Sequence, residues 1–150
     1  MSQANFQAYR EPIFAAWIGY VGLIPFLTLA FAIWLLPQAF FLQLHQALLS
    51  YAAIILSFMG AIHWGLAMAA KEFVGRLQFA ISVIPALIAW FASLTSPTWN
   101  YSILLITFVC LCIFDNYMVK ILRAPRWYPV LRIPLTSVAA VSLIIAQLSL

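Results

Sequence analysis

The chain has 150 residues, of which 67% are hydrophobic and only 7% are charged, and its mean hydropathy is +1.08. Soluble domains carry about 25% charged residues because their surfaces must contact water. A short chain buries only about two-thirds of its surface on folding, so the apolar remainder has to face lipid. The composition therefore excludes a soluble domain. The net charge of +4 does not indicate a nucleic-acid partner, since the basic residues lie between long apolar runs.

Five apolar segments are each long enough to cross the ~30 Å hydrocarbon core of a bilayer as a helix. They cover residues 13–36, 47–70, 77–94, 101–122 and 131–148. Their apolar and polar residues do not alternate, which excludes a β-barrel. We therefore predict an all-α, polytopic integral membrane protein, with one membrane domain over residues 1–150 built as a bundle of five transmembrane helices. The short connections predict that sequential helices are antiparallel neighbours.

The basic residues precede the first segment, lie between the second and third, or flank the connection between the fourth and fifth, so all of them fall on one side of the predicted membrane. They are Arg10, Lys71, Arg76, Lys120, Arg123, Arg126 and Arg132. The positive-inside rule then predicts a cytoplasmic N-terminus and an external C-terminus, with the basic side in the matrix if the membrane is mitochondrial. We interpret the first segment as a retained anchor, because it is too long for the apolar region of a signal peptide and lacks a basic start.

Small side chains recur every four residues in the second segment. They are Ala53, Ser57, Ala61, Gly65 and Ala69. A ribbon of this kind allows another helix to approach closely, and we expect the approach within the bundle more than between copies. On this reasoning, Gly65→Leu damages folding more than Leu66→Ala does.

Two ionisable residues lie inside apolar segments at similar depths. His63 is about eight residues, or roughly 12 Å, from the basic end of the second segment, and Asp115 is about five to seven residues from the basic end of the fourth. Because these segments run in the same direction, we predict that the two side chains approach each other. The candidate partners of Asp115 are His63, Lys120 and Arg132. Burying an acidic side chain inside the membrane costs a few kcal/mol. Either a structural ion pair or a ligand or proton site explains why Asp115 lies there.

The expected polar pocket has further members. Tyr20 enters from the antiparallel first segment, Trp64 follows His63, and Asn116 follows Asp115. His45 lies at the opposite membrane face, about 27 Å away along a helix, so it cannot share a metal ion with His63. The chain lacks HExxH, CxxC, GxSxG and phosphate-loop patterns, so we assign no catalytic residue, metal site or cofactor motif. The sequence leaves open whether the protein binds a quinone or a lipid.

Cations, aromatic residues and prolines combine in the stretch between the fourth and fifth segments. Arg123, Arg126, Trp127 and Tyr128 precede Arg132 there. Anchoring at the membrane interface explains most of this pattern. Binding of an anionic lipid headgroup is the sharper alternative.

Three segments carry a family resemblance: GYVGLIPF at 19–26, SFMGAIHWGLAM at 57–68 and PRWYPVLRIPLT at 125–136. In this order they resemble the domain of unknown function 3429 family, a group of transmembrane protein 69-like membrane proteins. The resemblance implies a small multi-span protein of bacterial inner membranes or of mitochondria, and it supplies no reaction. The residues that it marks as belonging to family motifs are His63, Trp64, Arg126, Trp127, Tyr128 and Arg132.

Three functional hypotheses follow. The first is a non-enzymatic protein that binds a lipid or quinone-like amphiphile, within or assisting a respiratory or biogenesis assembly, with other membrane proteins as possible partners. The second is a proton or small-solute pathway through the same residues, which is weaker because five spans cannot form two equal inverted halves. The third is a membrane enzyme without a recognisable motif.

Overall fold

Helices form all the regular secondary structure in the computed structural model, which describes residues 13–69, 76–122 and 127–150. In chain order they are α1 (13–21), α2 (Ile24–Leu35), α3 (Phe41–Ala69), α4 (Arg76–Ser93), α5 (Pro97–Leu122) and α6 (Trp127–Gln147), with one 3₁₀ turn at Gln38–Phe40. Helices α1 and α2 together form the first predicted segment. The prediction of an all-α protein is confirmed.

The segments pack in a ring that follows the chain order. Helix α2 contacts α3, α3 contacts α4, α4 contacts α5, α5 contacts α6, and α6 closes the ring on α2, while α3 also contacts α5 and α6. Short connections favour this arrangement, because they leave each helix beside the one before it. The core inside the ring is apolar and includes Phe26, Leu48, Leu56, Phe108 and Leu143.

Three helices begin at least four residues before the apolar runs that predicted them. Helix α3 begins at Phe41, α5 at Pro97 and α6 at Trp127, whereas the apolar runs begin at residues 47, 101 and 131. Proline suits a first helical turn, since the N–H that it lacks would have no partner within the helix there. Hydropathy therefore marks the apolar part of each helix, and the helices continue beyond it.

The outer surface of the bundle is apolar. Leu35, Leu42, Val130 and Leu148 are each at least 70% exposed, which a soluble protein avoids. Four segments are long and apolar enough to cross a membrane: Ile13–Leu35, Gln38–Met68, Pro97–Tyr117 and Val130–Gln147. Helix α4 supplies a shorter apolar stretch, Phe79–Ser93. The chain is a polytopic membrane protein with five packed helical segments.

The close approach on α3 lies at Gly60, and the expectation for Gly65 is wrong. A Cβ atom at Gly60 would be 2.5 Å from the carbonyl oxygen of Ser82 and 3.1 Å from Pro85 Cγ on α4, whereas a Cβ atom at Gly65 would meet nothing within 4 Å. Four-residue spacing advances by about 40° per step beyond a full turn. The ribbon from Ala53 to Gly65 therefore winds around α3 by about 120° and leaves the packed face.

Candidate functional site

The helix ends place three polar side chains at one level of the bundle. His63 lies six residues before the end of α3, Asp115 seven residues before the end of α5, and Arg132 five residues after the start of α6. These offsets correspond to about 9, 10 and 8 Å along the three helix axes. The three side chains are 2%, 1% and 3% exposed, respectively.

Asp115 joins the other two side chains. His63 Nε2 lies 2.6 Å from Asp115 Oδ1, and Arg132 Nε donates to Asp115 Oδ2 over 2.6 Å. A guanidinium only donates and an ionised carboxylate only accepts, so His63 donates through Nε2. The structure thus contains the approach that the depths of His63 and Asp115 predicted, and it pairs Asp115 with Arg132 as well, another of its three candidate partners. We call these three residues the polar triad; it links α3, α5 and α6 inside the bundle.

Arg132 has further polar atoms beyond its bond to Asp115. Its Nη1 contacts Met59 Sδ at 2.6 Å. In the part of the chain that the structure describes, Arg132 Nη2 has no hydrogen-bond partner, and neither does Thr136 Oγ1 on the next turn of α6, although both atoms are buried. Buried polar groups in native proteins are almost always hydrogen-bonded. Arg132 and Thr136 therefore place two buried polar atoms without a partner among the described residues on one face of α6.

A cavity of about 190 Å³ is lined by both of these residues. Its remaining walls come from α1, α2, α3, α5 and α6, and they are apolar. They include Ile18, Gly19, Phe26, Phe58, Phe108 and Leu135. The cavity is thus bordered by one arginine and one threonine in otherwise apolar walls.

The size of the cavity limits what it can hold. Sites that enclose a whole drug-sized ligand measure about 300–1,000 Å³, and this cavity is smaller and partly open. It is therefore too small to enclose a whole ligand of that size.

Three of the predicted pocket residues lie elsewhere. Tyr20 is half exposed and borders a shallow groove with Trp17, Trp64 packs edge-on against Phe79 of α4, and Asn116 donates to the carbonyl of Cys112 on its own helix. Successive helical residues point about 100° apart. The neighbours of an inward-facing residue therefore face away from it, so Gly19 lines the cavity and Tyr20 does not.

The predicted interface residues fall largely outside the described part of the protein. Arg123 and Arg126 lie beyond the described residues. The backbone of Trp127 and Tyr128 forms the first turn of α6. The proposed roles of these four residues at the membrane interface stay predictions.

His63 keeps one ring nitrogen without a hydrogen-bond partner among the described residues, namely Nδ1. His63 does not line the cavity, and its ring is tilted against Phe114 with 5.3 Å between centroids. The histidine thus reaches the cavity only through Asp115 and Arg132. In the described part of the chain, no group of three His, Cys, Asp or Glu side chains is placed to hold a metal ion.

A second buried polar cluster occupies the opposite end of the bundle. His45 Nδ1 lies 2.9 Å from Tyr101 Oη, and His45 Nε2 lies 3.3 Å from Ser149 Oγ. Ser149 donates its hydrogen to the carbonyl of Ala146, so it accepts from His45 Nε2 and Tyr101 donates to Nδ1. This cluster joins α3, α5 and the end of α6.

Sequence reasoning missed Met59 and Thr136, although helical spacing could have found them. Met59 precedes His63 by four residues, and Thr136 follows Arg132 by four. Residues four apart lie on the same helix face, so a search at this spacing from each polar residue identifies both. The partnership of His45 with Tyr101 has no comparable signal, because it joins residues 56 positions apart.

Comparison with known proteins identifies the family of the chain. Residues 11–148 match the family described as "Protein of unknown function (DUF3429)". The chain belongs to this family. The resemblance drawn from the three sequence segments is confirmed. No solved structure matches the chain.

Curated relatives of this DUF3429 protein include membrane proteins of vertebrates. It is 32% identical to "Transmembrane protein 69" of Xenopus tropicalis over 133 aligned residues. The alignment covers 87% of this chain and 52% of the relative. The identity to "Transmembrane protein 69" of Mus musculus is 28% over 133 residues, covering 87% of this chain and 54% of the relative. The chain spans about half the length of these relatives. Their names state a membrane location and no activity.

Proposed function

We propose that this protein binds one end of a lipid or quinone-like amphiphile in the cavity beside the polar triad, without catalysing a reaction. The observation that carries the proposal is the position of Arg132. Its Nε is bonded to Asp115, while its buried Nη2 has no partner among the described residues and the residue lines an otherwise apolar cavity.

The polar triad supports this role by holding the guanidinium in place. Ordering a long arginine side chain costs up to about 2 kcal/mol of rotamer entropy. Here the bonds to Asp115 and Met59 fix the side chain before any ligand arrives. A ligand that contacts Nη2 would therefore bind a preorganised donor, which favours affinity.

The two ends of the bundle argue against a proton or solute pathway as the leading function. The polar triad and the His45 cluster lie at opposite ends of α3, and the described core residues between them on this helix are apolar, including Leu48, Ala52 and Leu56. A relay between the two ends would have to use the separate buried hydroxyls of Thr136 and Ser142 on α6, whereas a proton pathway needs a chain of polar groups or water.

The location and context of the protein belong to the same proposal. A bacterial inner membrane, or the mitochondrial inner membrane in a eukaryote, would contain both lipids and quinones. In such a membrane the protein would act within, or assist, a respiratory or biogenesis assembly.

Native mass spectrometry of the protein, extracted gently with its lipids, tests the proposal. We expect the wild type to carry a bound amphiphile, and Ala139→Leu to lose it because the larger side chain fills the cavity that Ala139 lines. Ala61→Leu is the matched control, since it adds the same side chain at an exposed position on α3. Equal retention in both variants, or no bound molecule in the wild type, contradicts the proposal.

A further inference from the structure

We infer that the bound end of the amphiphile carries a neutral carbonyl-type oxygen, which accepts hydrogen bonds from both Arg132 Nη2 and Thr136 Oγ1. This inference rests on the proposed function and adds the chemical class of the ligand. It predicts a ketone, quinone or ester oxygen in the cavity, in place of a phosphate or an ammonium group.

The positions of the two donors point to a single oxygen between them. Arg132 and Thr136 are four residues apart on α6, so their side chains lie on one face, with Cβ atoms about 5–6 Å apart. Both residues line the cavity, and both donor atoms are buried without a partner among the described residues. A carbonyl oxygen has two lone pairs and can accept from both donors at once.

The donor character of Arg132 excludes a cationic ammonium end. A guanidinium has five N–H groups and no acceptor. An ammonium group placed beside Arg132 Nη2 would find no acceptor on the guanidinium, which would also repel its charge. The ligand end must therefore be an acceptor.

A phosphate fits less well than a carbonyl for two reasons. The carboxylate of Asp115 already occupies the other side of the same guanidinium, at 2.6 Å from Nε, and it would repel a second anion. A phosphate also brings several charged oxygens, and those beyond reach of Arg132 and Thr136 would face apolar walls such as Phe26 and Phe108. Burying charged oxygens without hydrogen bonds is costly.

Thr136 offers a clean test because its hydroxyl has no partner. Thr136→Val keeps the shape of the side chain and removes only the donor, so we expect the variant to fold as stably as the wild type. Thr136→Ser keeps the hydroxyl and serves as the control. The probes share one hydrocarbon chain: 2-tetradecanone, tetradecyl phosphate and tetradecane, each added to protein in nanodiscs and measured against empty nanodiscs.

We expect 2-tetradecanone to bind the wild type and Thr136→Ser more tightly than the other two probes, and to bind Thr136→Val about tenfold more weakly. Infrared spectra of the ¹³C-carbonyl ketone should show a shift of the carbonyl stretch to lower frequency, and this shift should decrease in Thr136→Val. Such a signal reports hydrogen bonding to the ligand, which a purely structural threonine would not change.

The other outcomes distinguish a failure of the carbonyl inference from a failure of amphiphile binding itself. If tetradecyl phosphate binds as tightly as the ketone, or if Thr136→Val binds the ketone like the wild type, the carbonyl inference is wrong while amphiphile binding stands. If none of the three probes binds the wild type above empty nanodiscs, both the inference and the proposed function are wrong.

Discussion

Arg132 donates from Nε to Asp115 Oδ2 over 2.6 Å, so that a basic residue of α6 is paired with an acid of α5 inside an apolar bundle. Asp115 in turn accepts from His63 of α3. The same arginine lines the cavity, and its buried Nη2 has no partner among the described residues. Arg132 is thus the residue that connects the bundle's internal ion pair to the proposed binding site.

The first prediction concerns the strength of this pair. Asp115→Asn and Arg132→Gln should each lower the free energy of unfolding by about 3–5 kcal/mol, because each change leaves the opposite charge buried without its partner. The double variant should be less destabilised than the sum by about 1–3 kcal/mol. Titration with SDS in mixed micelles measures all four proteins. Strict additivity would show that the two charges do not interact.

The second prediction contrasts two glycines on α3. Gly60→Ala should destabilise the protein by about 1–3 kcal/mol, because the new methyl group would meet the backbone of α4 at the carbonyl of Ser82. Gly65→Ala should be neutral or stabilising by up to about 1 kcal/mol, since alanine is the better helix former and the site is open. Thermal unfolding in detergent ranks the two. A larger loss at Gly65 would contradict the packing of α3 on α4.

The third prediction concerns the cluster at the other end of the bundle. Tyr101→Phe should cost about 1–3 kcal/mol, because it leaves His45 Nδ1 buried without a donor. The control is Tyr117→Phe, which removes a hydroxyl from a residue of the same helix that is 63% exposed and should have almost no effect. Melting temperatures in detergent decide the point. Equal decreases in melting temperature for the two variants would show that the hydrogen bond between Tyr101 and His45 does not stabilise the protein.

Part of this architecture could be predicted from the sequence, because hydropathy and helix geometry are local properties. Counting residues from the basic helix ends was enough to bring His63 and Asp115 to the same depth. The rotation of each helix about its axis is not accessible in this way, which is why the small-residue spacing indicates Gly65 where the close contact is at Gly60, and why Tyr20 is predicted in a pocket that it does not line. Rotation is set by packing between helices, and this depends on side chains far apart in the sequence.

The fourth prediction concerns orientation in the membrane. The basic residues of the connections should place Gly75 and Ala124 in the cytoplasm, and Pro97 and Leu150 on the external side. Reporter fusions at these four positions, with an enzyme active on one side only, measure this directly. An external signal at Gly75 would contradict the five-span arrangement.

The central claim is that the cavity beside Arg132 receives one end of an amphiphile. Photo-crosslinking tests it most directly, with a diacylglycerol analogue that carries a diazirine next to a glycerol ester, followed by peptide mapping. We predict labels on cavity residues of two helices, such as Phe58 of α3 and Leu135 of α6, and their loss in Ala139→Leu. Labelling spread equally over exposed residues away from the cavity, such as Phe91 and Ile106, would contradict the claim.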